Sequence, residues 1–262
     1  MKNKILITGG NGFVGANLIR KLYTPNNQIT IYSNSELRHP LLKGLKVKMI
    51  KGDVRDYNSF LKAVKGHKYV YHLAVLTYND KERREEVFSV NVDGTDNVMK
   101  ACLISNVKKV VYISTCGALG FSKNKNALLN ENDNLDFIDN QYAQSKKLGE
   151  DVVQKYVAKG LNATIVLPSH VIGAGEVDAT RYTFYKSISR GRIKFTFPGG
   201  GGTVAVEDLV DGIVLAMKKG KPGERYILSS VNVSIFDRCN LIAKLLNKPR
   251  IRLVIPRSAY YF

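Results

Sequence analysis

The sequence predicts an α/β protein built on a doubly wound parallel sheet, followed by a smaller and less regular carboxyl-terminal region. Three observations predict it. Short apolar runs alternate with amphipathic stretches through most of the 262 residues. Those runs are nearly continuous rather than alternating, as strands covered on both faces require. A glycine-rich turn joins the first run to the first helical stretch.

Taken in order, "KILIT" (4–8) reads as a strand and Gly12 to Tyr23 as a helix, followed by strands "QITIY" (28–32) and "VKMI" (47–50). A helix near 56–65 and the strand "YVYHLA" (69–74) come next, then a long helix over about 82–105, the strand "KVVYIS" (109–114), a helix over about 141–159 and the strand "ATIVL" (163–167). Beyond Pro168 the pattern loosens into "VIGAGE" and "FPGGGGTVAVED", with helices expected at 206–219 and 234–246 and "PGGGG" (198–202) as the mobile loop. The expected division is 1–168 for a dinucleotide-binding core and 169–262 for a mainly substrate-binding region packed with it as one compact unit.

Bulk properties exclude several classes. A chain of this length buries a substantial core and suits a soluble globular protein. The formal charge of +18, from 40 Lys+Arg against 22 Asp+Glu, favours anionic ligands. Its lysines are scattered, as in "LKGLKVKMIKG" and "MKKGKPGER", and no nucleic-acid motif accompanies them, so the reading is solvated surface and no nucleic-acid partner. Cys102, Cys116 and Cys239 are widely spaced, with no pairing of metal-ligand type; a reducing, cytoplasmic compartment and no metal are expected. No stretch approaches the roughly 18 apolar residues of a membrane span.

"ILITGGNGFVGANLIRKL" is strand, glycine turn, helix. Gly10, Gly12 and Gly15 satisfy GxGxxG, and Gly9, Gly12 and Gly15 satisfy GxxGxxG. Glycine is required where backbone turns tightly or approaches a pyrophosphate, and the helix amino terminus offers N–H groups to phosphate. A dinucleotide site of Rossmann type follows. Where an acid would bind the ribose 2′-OH of NAD, the second strand ends in Ser33 and Asn34, with Arg38 nearby; this favours NADP over NAD, although Glu36 is close. Asp53 in "GDVRD" ends the third strand, where its carboxylate suits the adenine amino group; an ordinary turn Asp is the alternative and, on this residue alone, the stronger reading.

"VVYISTCGALG" delivers Ser114, Thr115 and Cys116 to the carboxyl edge of the sheet. None of the four histidines forms a companion motif for a nucleophilic Cys116, so a packed thiol is expected. Tyr142 and Lys146 in "YAQSK" share a helix face. A phenol of pKa about 10 exchanges protons at neutral pH only beside a cation, and Lys146 offers one. "YTFYK" repeats the spacing at Tyr182 and Lys186 without a strand-end hydroxyl, and reads as a helix face.

In order along residues 4 to about 254, "TGGNGFVG", "GDVRD", "YHLAV", "NVDGTDNV", "VVYIST", "YAQSK" and "LPSHVIGAGE" make the chain resemble an extended short-chain dehydrogenase/reductase. The resemblance is to the NAD-dependent epimerase/dehydratase family, in its dihydroflavonol-reductase-like branch. It implies Thr115, Tyr142 and Lys146 as catalytic residues. It implies a cofactor held by Gly9, Gly12, Phe13, Val14, Gly15, Ser33, Asn34, Arg38, Asp53, Val54, Leu73, Ala74, Lys146, Pro168 and Val171. Asn91 and His72 are implied to be structural. A homodimer through helices near 84–104 and 141–158 and a small-molecule substrate are also implied.

Departures bear on the substrate: Leu167, Ile172 and Ala174 stand where the family usually has Arg, Tyr and Pro. "GGTVAVEDLVDG" lacks the arginine that nucleotide-sugar members direct at a diphosphate, leaving Arg181, Arg190 and Arg192 as candidates. The family usually continues for some tens of residues past the position of Phe262; a shortened chain and a smaller substrate lid are the two readings. The leading expectation is an NAD(P)-dependent oxidoreductase acting on a carbonyl or secondary alcohol. The alternatives are a nucleotide-sugar epimerase or dehydratase with tightly held NAD, and a non-catalytic dinucleotide sensor.

Overall fold

The structure, a computed structural model, describes residues 2–256 except 37, 122–123, 125–126, 135–139 and 177–178, and only the backbone of 179–182. The chain divides into two compact units, one of Met1–Pro168 with Val206–Leu228, the other of Ser169–Ala205 with Ser229–Phe262.

The first unit begins with β1 (Asn3–Thr8), α1 (Phe13–Leu22), β2 (Asn27–Ser33), β3 (Lys48–Lys51), α2 (Tyr57–Val64) and β4 (Tyr69–His72). It continues with α3 (Arg84–Phe88), α4 (Gly94–Ile104), β5 (Lys109–Ile113), α5 (Gln141–Val157) and β6 (Ala163–Pro168). The central strands β1, β5 and β6 are buried on both faces, with Leu6, Ile7, Val110, Val111, Ile165 and Val166 fully inaccessible, whereas the edge strand β3 is half-buried at best. Side-chain caps start two of these helices where expected, with Asp56 accepting from Ser59 N–H before α2 and Asn140 from Ala143 N–H before α5.

The long helix predicted over 82–105 is interrupted. Between α3 and α4 the residues Ser89–Asp93 form a π turn, which admits one extra residue into a helical path and commonly lies at functional sites. Asn91 is carried inward by it and is 1% exposed. Its Oδ1 accepts from Leu76 N–H at 2.8 Å, while its Nδ2 donates to Leu76 O at 2.9 Å and Ser145 Oγ at 2.9 Å. One side chain thereby ties the segment after β4 to α5.

After an excursion into the second unit the chain returns as α7 (Val206–Lys219) and β10 (Arg225–Leu228). The sequence expectation of a contiguous region over 169–262 differs from the structure here. Val206, Leu209, Val210, Ile213, Ala216 and Met217 form a buried face of α7, which packs on β5, β6 and α1. β10 then pairs in parallel with β6. The complete sheet has the order β10–β6–β5–β4–β1–β2–β3, all neighbours parallel. Strand order reverses between β1 and β4, and at such a switch point an open α/β sheet leaves a crevice beyond its carboxyl edge.

The second unit contains β7 (His170–Ile172), α6 (Ala179–Ser189), β8 (Phe195–Thr196) and β9 (Gly200–Ala205), then β11 (Val231–Ser234), α8 (Ile235–Leu245) and β12 (Leu253–Val254). β9 is antiparallel to β11 and parallel to β7, and β12 pairs with β8. Ile188, Cys239, Ala243 and Ile251 form its small core. The loop expected at 198–202 is replaced from Gly200 onward by strand. A Cβ on Gly200 would stand 2.6 Å from Val233 O, and one on Gly202 would collide with Ser229 Oγ and lie 3.0 Å from Ser169 Cβ, so these glycines permit close strand pairing. Lys186 lies on α6; the side chains of Arg181 and Tyr182 lie outside the described residues.

Candidate active site

The glycine turn follows β1 at the switch point. Gly9 adopts φ +68°, and a Cβ there would stand 2.6 Å from the Leu73 carbonyl carbon and 2.7 Å from Ala74 N. A Cβ on Gly15 would collide with Gly9 O and lie 2.8 Å from Gly10 Cα. These two glycines let the turn lie backbone to backbone against the exit of β4 and the start of α1. Gly12 differs, since its Cβ would meet only Gly9 O at 3.4 Å. It is the N-cap of α1, has no side-chain cap, and no acid lies in the first turn. An uncapped, acid-free helix amino terminus with room at its N-cap fits a dinucleotide pyrophosphate. Phe13 and Val14 open α1, half-buried beside it.

At the end of β2, Ser33 Oγ accepts from Ser35 N–H at 3.1 Å and from Asn11 Nδ2 at 3.4 Å. Asn11, not singled out from the sequence, ties the glycine turn to the β2 exit. Asn34 and Arg38 are exposed; Arg38 donates to Val47 O at 3.4 Å, and Glu36 is paired with Lys51 at 3.1 Å. Asp53 is gripped by Arg55, whose Nε and Nη2 donate to its two oxygens at 3.0 and 2.6 Å. Those hydrogen bonds hold the Asp53 carboxyl below its usual range. The Val54 side chain is buried in the core, and its carbonyl accepts from Asn97 Nδ2 at 3.1 Å.

Leu73 and Ala74 leave β4 with their N–H groups donating to Thr8 Oγ1 at 3.2 and 3.1 Å. His72, just before them, is 1% exposed. Burial, with Lys146 as a lesser cause, pulls its imidazole down to about 3.

Thr115 follows β5 as the N-cap of a single turn over Cys116–Leu119, its Oγ1 accepting from Gly117 N–H at 3.2 Å. A Cβ on Gly117 would lie 3.4 Å from Ala143 Cβ, which sets this turn against the first turn of α5. Tyr142 sits in that first turn, half-buried. Lys146, one turn on, is 2% exposed, with Nζ 3.9 Å from the Tyr112 ring centroid. Its ammonium is pulled down to about 7 by burial, against which the Glu150 carboxylate pushes back. Glu150 is buried, accepts from Ser114 Oγ, and is met by Arg225 at 3.3 Å. Arg225 also donates to Glu131 O and Asp133 O. The Cys116 thiol donates to Leu167 O at 3.1 Å and is raised to about 11 by burial, consistent with a packed thiol. Pro168 ends β6, buried, in the first unit; Val171 lies on β7 in the second, where Arg190 and Arg192 are exposed near the end of α6. No group of three or more potential metal ligands occurs among the described residues, and no helix among them is long and apolar enough to cross a membrane.

A seven-stranded parallel sheet with a glycine turn at its switch point and a buried lysine behind a tyrosine defines the short-chain dehydrogenase/reductase class of nucleotide-binding enzyme. The family model described as "NAD dependent epimerase/dehydratase family" matches residues 5–229, and the chain belongs to that family. The sterol demethylase protein B of Methylococcus capsulatus is 31% identical over 258 residues, 96% of this chain and 77% of that protein. A putative dihydroflavonol 4-reductase of Synechocystis is 27% identical over 241 residues, 90% and 70% of the two chains. Among solved structures, the dTDP-glucose 4,6-dehydratase of Streptomyces venezuelae with NAD bound superposes with a TM-score of 0.85 at 20% identity, over 97% of this chain and 85% of that one; this shows the fold. The protein is an NAD-dependent enzyme of the reductase or epimerase/dehydratase type.

The burial of Lys146 leads to a pH prediction. Its folded pKa of about 7 lies below the ordinary lysine value of 10.5, so between pH 7 and 9 the unfolded chain holds the proton more tightly and stability rises with pH, by up to about 1.4 kcal/mol per unit. Below about pH 7 both states are protonated and this slope fades. Lys109 is lowered in the same sense and is common to wild type and Lys146→Met. Urea denaturation of both proteins from pH 6 to 9 is expected to show the extra slope in wild type alone.

Proposed function

We propose that the protein is an NADP(H)-preferring reductase or dehydrogenase for a carbonyl or secondary alcohol of a small molecule, with Thr115, Tyr142 and Lys146 as its catalytic residues. The observation that carries this reading is the fully buried Lys146, its ammonium destabilised to about 7, one turn beyond Tyr142 on the helix packed against the Thr115 turn. A packed structural lysine would normally keep its charge in solvent by extending its stem. Burying a cation here serves an anion that forms nearby.

A dinucleotide held there would supply or accept the hydride. In the reducing direction Tyr142 donates its phenolic proton to the substrate oxygen, and the Lys146 charge stabilises the resulting phenolate. Thr115 Oγ1 already accepts from Gly117 N–H, which leaves its own proton to hold the substrate oxygen. The pyrophosphate is assigned to the α1 amino terminus at Gly9, Gly12, Phe13, Val14 and Gly15. The adenosine end is assigned to Ser33, Asn34, Arg38, Asp53 and Val54, and the nicotinamide side to Leu73, Ala74, Lys146 and Pro168. NADP is favoured because no acid ends β2 and because Glu36 is already paired with Lys51. The similarity to dihydroflavonol 4-reductases supports the carbonyl reading. A nucleotide-sugar epimerase or dehydratase is the second reading. It is favoured by a UDP-N-acetyl-alpha-D-glucosaminuronate decarboxylase, 29% identical over 242 residues, and opposed by the missing arginine in 201–212.

Three free cysteines, two of them buried, support a cytoplasmic setting. Exposed Ile104 and Leu148 on α4 and α5 support a homodimer through those helices. Light scattering is expected to give twice the chain mass, and a single-chain mass refutes the dimer.

Tyr142→Phe is expected to lower turnover of a carbonyl substrate by about 10²-fold or more with dinucleotide binding unchanged; near-wild-type turnover removes the assignment. In a thermal-shift titration NADPH is expected to raise Tm at lower concentration than NADH, and the reverse order overturns the cofactor choice.

A further inference from the structure

Around His72 the hydrogen bonds run in one direction only. Thr8 Oγ1 accepts from the N–H groups of Leu73 and Ala74, which occupies both lone pairs, so its single proton goes to His72 Nδ1 at 2.7 Å. On the other side Thr95 Oγ1 donates to Asn91 O at 2.7 Å. A carbonyl can only accept, so Thr95 receives the His72 Nε2–H at 3.1 Å. Each direction follows from the donor count of its neighbour, and together they permit one protonation state of the ring. A proton on Nδ1 would face the Thr8 proton and break the chain. Facing the ring are Lys146 of α5, a cation opposing any second charge, and Tyr112 of β5, with ring centroids 5.7 Å apart.

The chain ends where the site needs rigidity. Thr8 begins the glycine turn, whose Gly9 lies against the Leu73 carbonyl. Asn91 grips Leu76 and, through Ser145, the residue beside Lys146. We propose that His72 is a positioning residue, locked as the neutral Nε2–H tautomer, which holds the exit of β4 against the glycine turn on one side and the π turn on the other. It takes no part in proton transfer. Its role rests on the reading of this edge as the dinucleotide site: with the lock broken, Leu73 and Ala74 lose their register against Gly9 and the cofactor binds more weakly.

The test uses the full chain labelled with ¹⁵N. Imidazole nitrogen NMR is expected to show His72 neutral, protonated at Nε2, and not titrating between pH 8 and 5. A proton on Nδ1, or a titration midpoint near the ordinary 6.5, overturns the proposal. In parallel, thermal-shift titrations with NADH and NADPH compare His72→Phe, which loses both hydrogen bonds, with His72→Gln, whose amide can accept from Thr8 and donate to Thr95. The phenylalanine variant is expected to bind about tenfold more weakly, as loss of a buried hydrogen bond predicts, and the glutamine variant to recover most of that loss. Equal affinity of the phenylalanine variant and wild type overturns it, as does a glutamine variant no better than phenylalanine. Should the phenylalanine variant fail to fold, the wild-type spectrum and the glutamine variant still decide. Absence of turnover would overturn the reductase reading alone, because none of these measurements uses a substrate.

Discussion

The active edge depends on backbone meeting backbone where β1 and β4 part. Side chains cannot mediate that contact: Gly9 faces Leu73 and Ala74, and Gly15 faces Gly9, at separations no Cβ allows. The sheet switches direction at this point, so the crevice is open to a ligand, and its floor is main chain against main chain, held from one side by Thr8 Oγ1 on the N–H groups of Leu73 and Ala74. Such a floor has no side-chain packing to correct small errors. The polar chain through Thr8, His72, Thr95 and Asn91 supplies the correction with directional bonds inside a region that excludes water. In low dielectric those bonds are stronger than at the surface, and an unpaired member is costly, so the chain selects one arrangement.

Charge is arranged by the same logic. Lys146 is taken out of water beside the Tyr112 ring, and burial outweighs Glu150 in setting its affinity for protons. Glu150 in turn is shared between Ser114 and Arg225, and Arg225 reaches the 131–133 segment. Ser114 at the end of β5, α5 and the edge strand β10 are therefore linked through a buried carboxylate. One turn of α5 separates the group that destabilises a proton from the group that anchors the helix.

The strands β1 to β6 were legible because parallel strands inside a sheet are apolar nearly throughout, with only the edge strand β3 more exposed, and because β1, β3, β5 and β6 run into a glycine, capping or proline signal. The glycine turn after β1, the place of Thr115 just past β5 and the one-turn spacing of Tyr142 and Lys146 on α5 were legible from residue type and order. β10 was not, because "RYIL" is short and half-buried at a sheet edge, and a four-residue edge strand carries little periodicity. β9 was hidden because glycine, normally a breaker, here enables close pairing. The π turn left no trace, since one additional residue in a helix barely alters an apolar pattern over twenty. The double grip of Arg55 on Asp53 and the tautomer of His72 depend on three-dimensional neighbours such as Thr8 and Thr95, which sequence spacing does not bring together.

The extra residue of the π turn has a consequence for how this chain tolerates change in length. An α-helix advances about 100° per residue, and the π turn takes up one residue without that advance. Deleting one of residues 89–93 would therefore give a regular helix with Val98, Met99 and Cys102 still in the core, while losing the inward bulge that carries Asn91 to Leu76 and Ser145. A deletion between Gly94 and Val98 has no such buffer and would rotate Met99 and Cys102 by that angle. The count of residues in this helix is thus forgiving at the bulge and strict beyond it.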